Sequence, residues 1–168
     1  MQALIRAIEA ASDKIGIFGA LLIVPLVLST CYEVFARYLF DSPTIWAYEV
    51  GYMLTGSHFL LGLAFTLRAG EHIRIDIFSG KFAARTRALI DLAGYTVLVP
   101  MLIWLTLALS RYFATAYASN EKSGQSAFNM PVWPFRLVFF AAFLLLTLQV
   151  IAEVIKLVRS LRSTPARA

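Results

Sequence analysis

Four long apolar runs, each without Asp, Glu, Lys or Arg, divide the sequence. They cover residues 15–32, 50–67, 92–110 and 137–152. A tilted helix needs about 17–25 residues to cross a bilayer, and the strict alternation of a membrane strand does not run through these segments. The pattern therefore predicts an all-α membrane protein whose single membrane domain, 1–168, contains four transmembrane helices, at about 15–40, 46–67, 89–112 and 132–157.

The stretch between the second and third predicted helices has a different pattern. Residues 70–78 alternate polar and apolar side chains, and residues 76–88 mix Phe and Ala with Lys and Arg. Such a segment is typical of an amphipathic helix that lies on a membrane with its cationic side toward anionic lipid. We expect an interfacial amphipathic segment at about 70–88, and an ordinary basic loop is the alternative interpretation.

The composition narrows the class of protein. Hydrophobic residues make up 60% of the chain and charged residues 15%, and the mean hydropathy is +0.73. A soluble domain of this length would expose large apolar patches, and a disordered chain would have low hydrophobicity. A single cysteine, Cys31, excludes a disulfide scaffold. An integral membrane protein is the class that remains.

Lys and Arg are distributed unevenly between the predicted loops. The N-terminal segment, the 68–87 loop and the C-terminal tail carry eleven of them, whereas the 41–45 loop and the 111–136 stretch carry three. Short loops rich in Lys and Arg stay in the cytoplasm, so we expect both termini to be cytoplasmic. This bias accounts for the formal net charge of +5. No nucleic-acid partner is expected, because a basic stripe with interleaved aromatic residues is absent.

Small and polar residues form a stripe on each of the first two predicted helices. Helix 1 carries Gly16, Gly19, Thr30, Glu33 and Arg37, and helix 2 carries Gly51, Thr55, His58, Gly62 and Thr66. Since small residues let membrane helices approach closely and polar residues seek partners away from lipid, we expect both stripes to face protein. Trp46 and Trp133 open helices 2 and 4 and are expected at the outer membrane interface.

Glu33 and Arg37 are the charged residues that most need an explanation. They are four residues apart, so they can pair on one helix face, and Glu33 lies about 10 Å below the predicted helix end. An ionisable group inside a membrane is a candidate functional site. A structural or subunit-interface pair is the favoured interpretation, and proton or ion coupling is the alternative. Glu49 could join this pair, or it could be a solvated acid that interacts with the dipole of its own helix.

The remaining polar residues do not form a recognisable catalytic site. His58 is interpreted as a packing residue, because a haem site usually needs a second histidine at similar depth and His72 lies in a loop. Glu71, His72 and Asp76 lack further ligands that would complete a metal site. The sequence has no phosphate-binding glycine loop, nucleophile elbow or HExxH motif. We therefore expect no enzyme activity, no metal and no cofactor.

Five segments, taken together, resemble a known family. They are RYLF at 37–40, WAYE at 46–49, LGLAF at 61–65, RAGEHIRID at 68–76 and MPVWP at 130–134. In combination they look like the small membrane subunit of tripartite ATP-independent periplasmic (TRAP) transporters, the DctQ-like family, over nearly the whole chain. Members of that family often carry two acids after the tryptophan, whereas here a single acid, Glu49, follows Trp46. A role that needs paired acids at this position is not expected.

The resemblance implies a subunit of a larger transporter. Such a subunit lies beside a large membrane subunit in the bacterial inner membrane, and a periplasmic binding protein delivers an organic acid whose uptake is driven by sodium. The large subunit would hold the substrate and sodium sites and move as an elevator, while the small subunit supports its stationary part within the lipid bilayer and helps to dock the binding protein. The expected subunit contacts are Glu33, Arg37, Trp46, Glu49, Gly51, Thr55 and His58, and the expected cytoplasmic interface residues are Arg68, His72, Arg74 and Asp76.

Three other functions compete with this interpretation. An independent four-helix, proton-coupled transporter of the small multidrug type would use Glu33 as its proton carrier. The strong Lys and Arg bias fixes one orientation, however, whereas an antiparallel dual-topology dimer would need a weak bias. A membrane anchor of a redox complex is disfavoured by the lack of a second membrane histidine. A peptide or signalling scaffold stays open on the sequence alone.

Overall fold

A computed structural model of the chain describes residues 2–69 and 84–163, and the described residues form five helices. The helices are α1 (Gln2–Leu21), α2 (Ile23–Leu39), α3 (Ala47–Ala69), α4 (Ala84–Ser119) and α5 (Trp133–Ser163). Four stretches are long and apolar enough to cross a membrane, namely Gln2–Leu39, Ala47–Ala69, Leu89–Ser119 and Trp133–Arg159. The prediction of an all-helical chain with four spans is confirmed. Most of the predicted interfacial segment, residues 70–83, lies outside the described residues, and residues 84–88 open α4.

The helices extend further than their apolar runs. The first begins at Gln2 rather than near residue 15, and α4 has 36 residues instead of the predicted stretch at 89–112. At 1.5 Å per residue, α4 is about 54 Å long, against about 30 Å of hydrocarbon in a bilayer. The ends of α1 and α4 therefore project beyond the hydrocarbon layer. An apolar run marks only the part of a helix inside that layer, so it does not show these polar extensions.

The first span is divided into two helices at Leu22. The Leu22 N–H donates to the Gly19 carbonyl at 3.2 Å, a three-residue bond that ends α1. Pro25 follows in the first turn of α2, where a missing N–H costs least. The Nδ1 atom of His58 lies 2.9 Å from the same Gly19 carbonyl oxygen. Because a carbonyl only accepts, Nδ1 carries the proton and donates, so His58 stabilises the break.

The first, second and fourth spans contact one another, and the third span is attached to the fourth. α4 makes its main contact with α5, α5 packs on α3, and α3 packs on α1 and α2, while α1 also touches α5. Within the most apolar 18-residue window of each span, between 11% and 33% of the residues are buried. At least two thirds of the residues in each window therefore keep surface that lipid or another protein can contact.

Two glycines set the distance between α1 and α3. A Cβ atom added at Gly16 would lie 2.6 Å from Cβ of Phe65, and one at Gly19 would lie 2.9 Å from Cβ of Leu61. Both distances are far below van der Waals contact, and the obstructing atoms lie near the α3 backbone. Only a residue without a side chain allows this approach, which is the usual way that membrane helices gain contact area.

A polar cluster joins α1 to α5 near the chain termini. The buried Ser12 hydroxyl donates to Oε1 of the buried Gln149 at 3.0 Å, and Gln149 Nε2 donates to Glu153 at 3.0 Å. The Lys156 ammonium reaches Glu153 at 2.5 Å and Glu9 at 2.9 Å. Each side chain of this cluster thus meets a partner of opposite charge or complementary hydrogen-bonding character.

The glycine contact predicts that Gly16→Ala lowers the melting temperature of the detergent-solubilised chain. The clash with Phe65 should cost about 1–3 kcal/mol, as overpacking does elsewhere, and this exceeds the gain of about 1 kcal/mol in helix propensity. Gly62→Ala is the matched control, because a Cβ there meets nothing within 4 Å. Equal melting temperatures for the two variants would contradict the close approach of α1 and α3.

The Ser12–Gln149 bond predicts a strongly non-additive double-mutant cycle. Gln149→Leu leaves the Ser12 hydroxyl buried without its partner, at a cost of about 1–3 kcal/mol. Adding Ser12→Ala removes the orphaned hydroxyl and should recover much of the lost stability. Thermal unfolding of the four chains measures the coupling, and additive effects would show that this hydrogen bond does not join α1 to α5.

Candidate functional site

The candidate residues near the helix ends meet where two connections lie side by side. Residues 40–46 join α2 to α3, and residues 120–132, named here the 120–132 turn, join α4 to α5. Glu49 in the first turn of α3 hydrogen-bonds to the 120–132 turn, so the two connections share one end of the bundle. We call this the loop end, and the opposite end, near the chain termini, the terminal end.

Glu33 and Arg37 pair within the chain, as their spacing indicates. Arg37 Nε donates to Glu33 Oε1 at 2.9 Å, and a second guanidinium nitrogen contacts the same oxygen. The other carboxylate oxygen accepts the backbone N–H of Thr44 at 2.8 Å and also its hydroxyl. Glu33 is 15% exposed and Arg37 54%. The carboxylate therefore ties the end of α2 to the connection that leads into α3.

The connection itself is shaped by a left-handed residue and an aromatic pair. Asp41 has a φ of 48°, and the Ser42 N–H returns to the Ala36 carbonyl at 3.0 Å, which closes the end of α2. Tyr32 stacks on Trp46, with ring centroids 5.9 Å apart and planes 25° apart. Trp46 thus contacts α2 inside the chain, immediately before α3 begins.

A groove of about 390 Å³ lies between α2 and α3 below this connection. Its walls are Leu26, Thr30, Glu33, Arg37, Thr44, Ala47, Tyr48, Gly51, Tyr52 and Thr55. From Leu26 to Arg37 the helix rises about 16 Å, roughly half the hydrocarbon thickness of a bilayer. Thr30 and Thr55 each donate to a carbonyl of their own helix at 2.8 Å. Their hydroxyls are thereby satisfied, so the middle of the groove is largely apolar and its mouth carries the Glu33–Arg37 pair.

Glu49 does not join that pair. It is fully buried, and its carboxylate accepts the hydroxyls of Ser123 and Ser126, each at 2.6 Å, and the Met130 N–H at 2.7 Å. All three donors belong to the 120–132 turn, more than 70 residues along the chain. Glu49 is thus the internal anion around which this turn folds, and the interpretation of it as a solvated acid at the helix start is wrong.

The rest of the 120–132 turn is closed by its own hydrogen bonds. Lys122 and Pro131 form an isolated antiparallel bridge, flanked by bonds from Ser123 to Met130 and from Val132 to Glu121 at 2.9 and 3.0 Å. Positive φ angles occur at Asn120, Gly124 and Asn129, residue types that tolerate the left-handed region. The turn-forming residues can be identified from the sequence, but the sequence does not show that this turn encloses the Glu49 carboxylate.

An ion pair fastens the turn to both of its helices. Arg136 of α5 donates to both carboxylate oxygens of Glu121, at 2.7 and 2.5 Å. Its guanidinium also lies 3.6 Å from the centroid of the Tyr112 ring on α4. Sequence reasoning missed this cluster, because the partners lie 15 and 24 residues from Arg136 and share no helical spacing.

The predicted stripe on α3 is only partly covered by this chain. His58 contacts α1 through the Gly19 carbonyl, whereas a Cβ at Gly51 or Gly62 would meet nothing within 4 Å. Gly51 and Thr55 instead line the open groove. The packing interpretation of His58 agrees with this geometry, and the surface around Gly51 is left available to another molecule.

At the terminal end, Arg68 forms an ion pair with Asp13 of α1. Arg68 therefore joins α3 to α1 within the chain. The other three residues expected at the cytoplasmic interface, His72, Arg74 and Asp76, lie outside the described residues. Among the described residues, no group of three or more His, Cys, Asp or Glu is placed to hold a metal ion.

The charged groups at the loop end therefore hold the chain together. Several hydrogen bonds reach each of the carboxylates of Glu33, Glu49 and Glu121. Their donors lie on the connections or on the helices. These bonds fix the loop end of the bundle, and the groove between α2 and α3 lies beside it.

A comparison with protein families identifies the family of this chain. The model of the family described as tripartite ATP-independent periplasmic transporters, DctQ component, matches residues 26–160. A comparison with curated proteins finds no match. The family match covers all four apolar runs in whole or in part and well over half of the sequence. The chain belongs to the DctQ family, the small component of TRAP transporters, and is a multi-pass membrane protein.

Proposed function

We propose that this chain is the stationary small subunit of a TRAP-type secondary transporter in the bacterial inner membrane. It would support a large elevator subunit that holds the substrate and sodium sites. A periplasmic binding protein would deliver an organic acid for sodium-driven uptake. Membership of the DctQ family supports the role of transporter component, and the partners, the ion and the solute class are parts of the proposal.

The open packing of the spans is the observation that carries this proposal. α4 is attached mainly through α5, and no more than a third of the residues in any apolar window are buried. A solute carrier encloses its path between helices, whereas these spans leave broad apolar surfaces on the outside. Such surfaces are suited to contact a larger membrane protein and lipid.

The groove between α2 and α3 indicates where a partner helix would approach. Gly51 lies on its wall with open space beside it, and small residues at an uncovered helix surface permit close approach. The Glu33–Arg37 pair stands at the mouth, with the guanidinium more than half exposed. A partner that filled the groove would meet apolar walls and one charged donor.

The geometry around Glu33 disfavours the rival proton-coupled carrier. A carrier carboxylate has to exchange protons and solute, and so it has to be freed in each cycle. Here both oxygens of Glu33 are engaged by Arg37 and Thr44. Releasing them would open the connection between α2 and α3.

The orientation follows from the positive-inside rule. Of the described residues, Arg6, Lys14, Arg68, Lys156 and Arg159 lie at the terminal end, and the loop end carries fewer cations. The terminal end is therefore proposed to be cytoplasmic and the loop end periplasmic.

This role predicts that Glu33→Gln weakens assembly more than it alters pH dependence. The glutamine amide would place an N–H₂ group against the donors of Arg37 and Thr44, which disturbs the groove mouth. We expect recovery of the large subunit with the tagged chain to fall by about five-fold, the factor that corresponds to about 1 kcal/mol. Co-purification from membranes measures the recovery, and solute uptake at several pH values measures the coupling.

Asp41→Asn is the matched control for this experiment. It removes one negative charge from the same connection at an exposed site, and asparagine tolerates the positive φ of residue 41. Its recovery should equal that of the unmodified chain. An intact complex with shifted proton coupling in Glu33→Gln would contradict the supporting role.

A further inference from the structure

We propose that the exposed side of α1 at the terminal end binds an anionic phospholipid. Arg6 and Lys14 hold the phosphate of the headgroup, with Ala10 between them, and the acyl chains lie along Phe18 and Leu21. These five residues are named here the α1 outer face. The inference goes beyond the proposed function, because it does not depend on the proteins that assemble with this chain.

Two cations at the terminal end are already neutralised within the chain. The Lys156 ammonium contacts the carboxylates of Glu9 and Glu153, and the Arg68 guanidinium contacts the carboxylate of Asp13. These ion pairs join α1 to α5 and to α3, on the sides of α1 that other helices cover. They carry no surplus positive charge, so an anionic ligand is not attracted to them.

Arg6 and Lys14 differ from these cations, because both are exposed on the uncovered side of α1. Within the part of the chain that the structure describes, neither forms an ion pair with an acidic side chain. Residues four apart share a helix face, so the exposed Ala10 lies between the two cations, whose Cα atoms are about 12 Å apart along the helix axis. Two unpaired cations on one helix face attract an anionic headgroup.

The depth of the two cations matches the headgroup layer of a bilayer. Lys14 immediately precedes the charge-free run at 15–32 and therefore lies at the edge of the hydrocarbon. Because the Cα–Cβ bonds of a helix tilt toward its N-terminus, the Lys14 side chain extends over Ala10 and out of the hydrocarbon. The headgroup layer on each side of a bilayer is about 5–8 Å thick. Arg6 lies two turns further out, so the two cations stand on either side of this layer.

The exposed side of α1 becomes apolar directly after Lys14. Phe18 is 58% exposed and Leu21 is 60% exposed, and Phe18 lies four residues after Lys14 on the same helix face. A ligand that fits the whole α1 outer face therefore needs an anionic head joined to a hydrocarbon chain. Inorganic phosphate or an acidic soluble protein would match the two cations alone, whereas an anionic phospholipid matches both parts of this face.

The test measures lipid binding to the full chain, purified in detergent. Phosphatidylglycerol, which carries a net negative charge, is the probe, and phosphatidylcholine, whose phosphate is balanced by a choline cation, is its control. Native mass spectrometry gives the Kd of each lipid, and we expect the unmodified chain to bind phosphatidylglycerol more tightly. A Lys or Arg near an anionic membrane surface contributes about a five-fold factor in binding, so Arg6→Gln/Lys14→Gln should raise the Kd of phosphatidylglycerol by about 25-fold.

Two further double variants are the matched controls. Arg111→Gln/Lys122→Gln removes two exposed cations from the last part of α4 and from the 120–132 turn, and its Kd should equal that of the unmodified chain. Arg6→Lys/Lys14→Arg keeps both charges on the α1 outer face and should also retain binding. The melting temperature of Arg6→Gln/Lys14→Gln without added lipid should be unchanged, because neither side chain pairs with an acid among the described residues.

Ala10→Glu tests the position of the headgroup. Its carboxylate lies four residues from each of the two cations, so it should pair with them and raise the Kd of phosphatidylglycerol by about five-fold or more. Ala10→Gln introduces a side chain of nearly the same size without a charge and should raise the Kd less. Equal Kd values in these two variants would show that the headgroup lies elsewhere, and they would overturn the inference.

The other outcomes separate a lipid site from its alternatives. Equal Kd values of the two lipids for the unmodified chain overturn the inference, and so does an unchanged Kd of phosphatidylglycerol in Arg6→Gln/Lys14→Gln. Displacement of the lipid by inorganic phosphate would assign the two cations to a free anion. Normal lipid binding with a lost recovery of the large subunit would assign the α1 outer face to a protein. The lipid measurements use this chain alone, so their failure leaves the proposed function standing.

Discussion

A polar group inside a bilayer has no water to bond with, and this constraint decides where the chain of this protein turns, breaks and pairs. The Gly19 carbonyl at the end of α1 accepts from His58 as well as from Leu22, the Glu33 carboxylate accepts from Arg37 and Thr44, and Glu49 accepts from three donors of the 120–132 turn. At mid-span, the Thr106 and Thr147 hydroxyls bond to each other at 3.0 Å. Each of these partnerships joins two elements, so the satisfaction of polar groups also fixes the architecture.

The same constraint separates a supporting subunit from a carrier. In a carrier, the hydrogen bonds of polar groups that take part in transport have to break and re-form. The polar groups described here instead hold the helices and their connections together. Large apolar side chains are exposed on every span, and the third span is attached mainly to the fourth. In the proposed role, such an element could support a moving partner, because its own polar contacts do not have to change.

The sequence predicts the parts of this structure that depend on local pattern. Apolar runs located four spans, a four-residue spacing found the Glu33–Arg37 pair, and the combined motifs identified the family, which is confirmed. The partners of Glu49 lie 74 to 81 residues away, and no spacing rule connects them. The break at Leu22 has a local cause in Pro25, which lacks the N–H that would bond to the Leu21 carbonyl, but the contact of this break with His58 is long-range. Contacts between side chains that lie far apart in the sequence are the information that the pattern of hydrophobic and polar residues does not contain.

The central claim is that this chain supports transport without carrying the solute. The most direct test is uptake into proteoliposomes that contain this chain alone, this chain with its large subunit, or both with the soluble component. The solute is the one that the complete transporter accumulates under an inward sodium gradient. We expect uptake from the complete set and none above empty liposomes from the lone chain. Sustained uptake by the lone chain would contradict the claim.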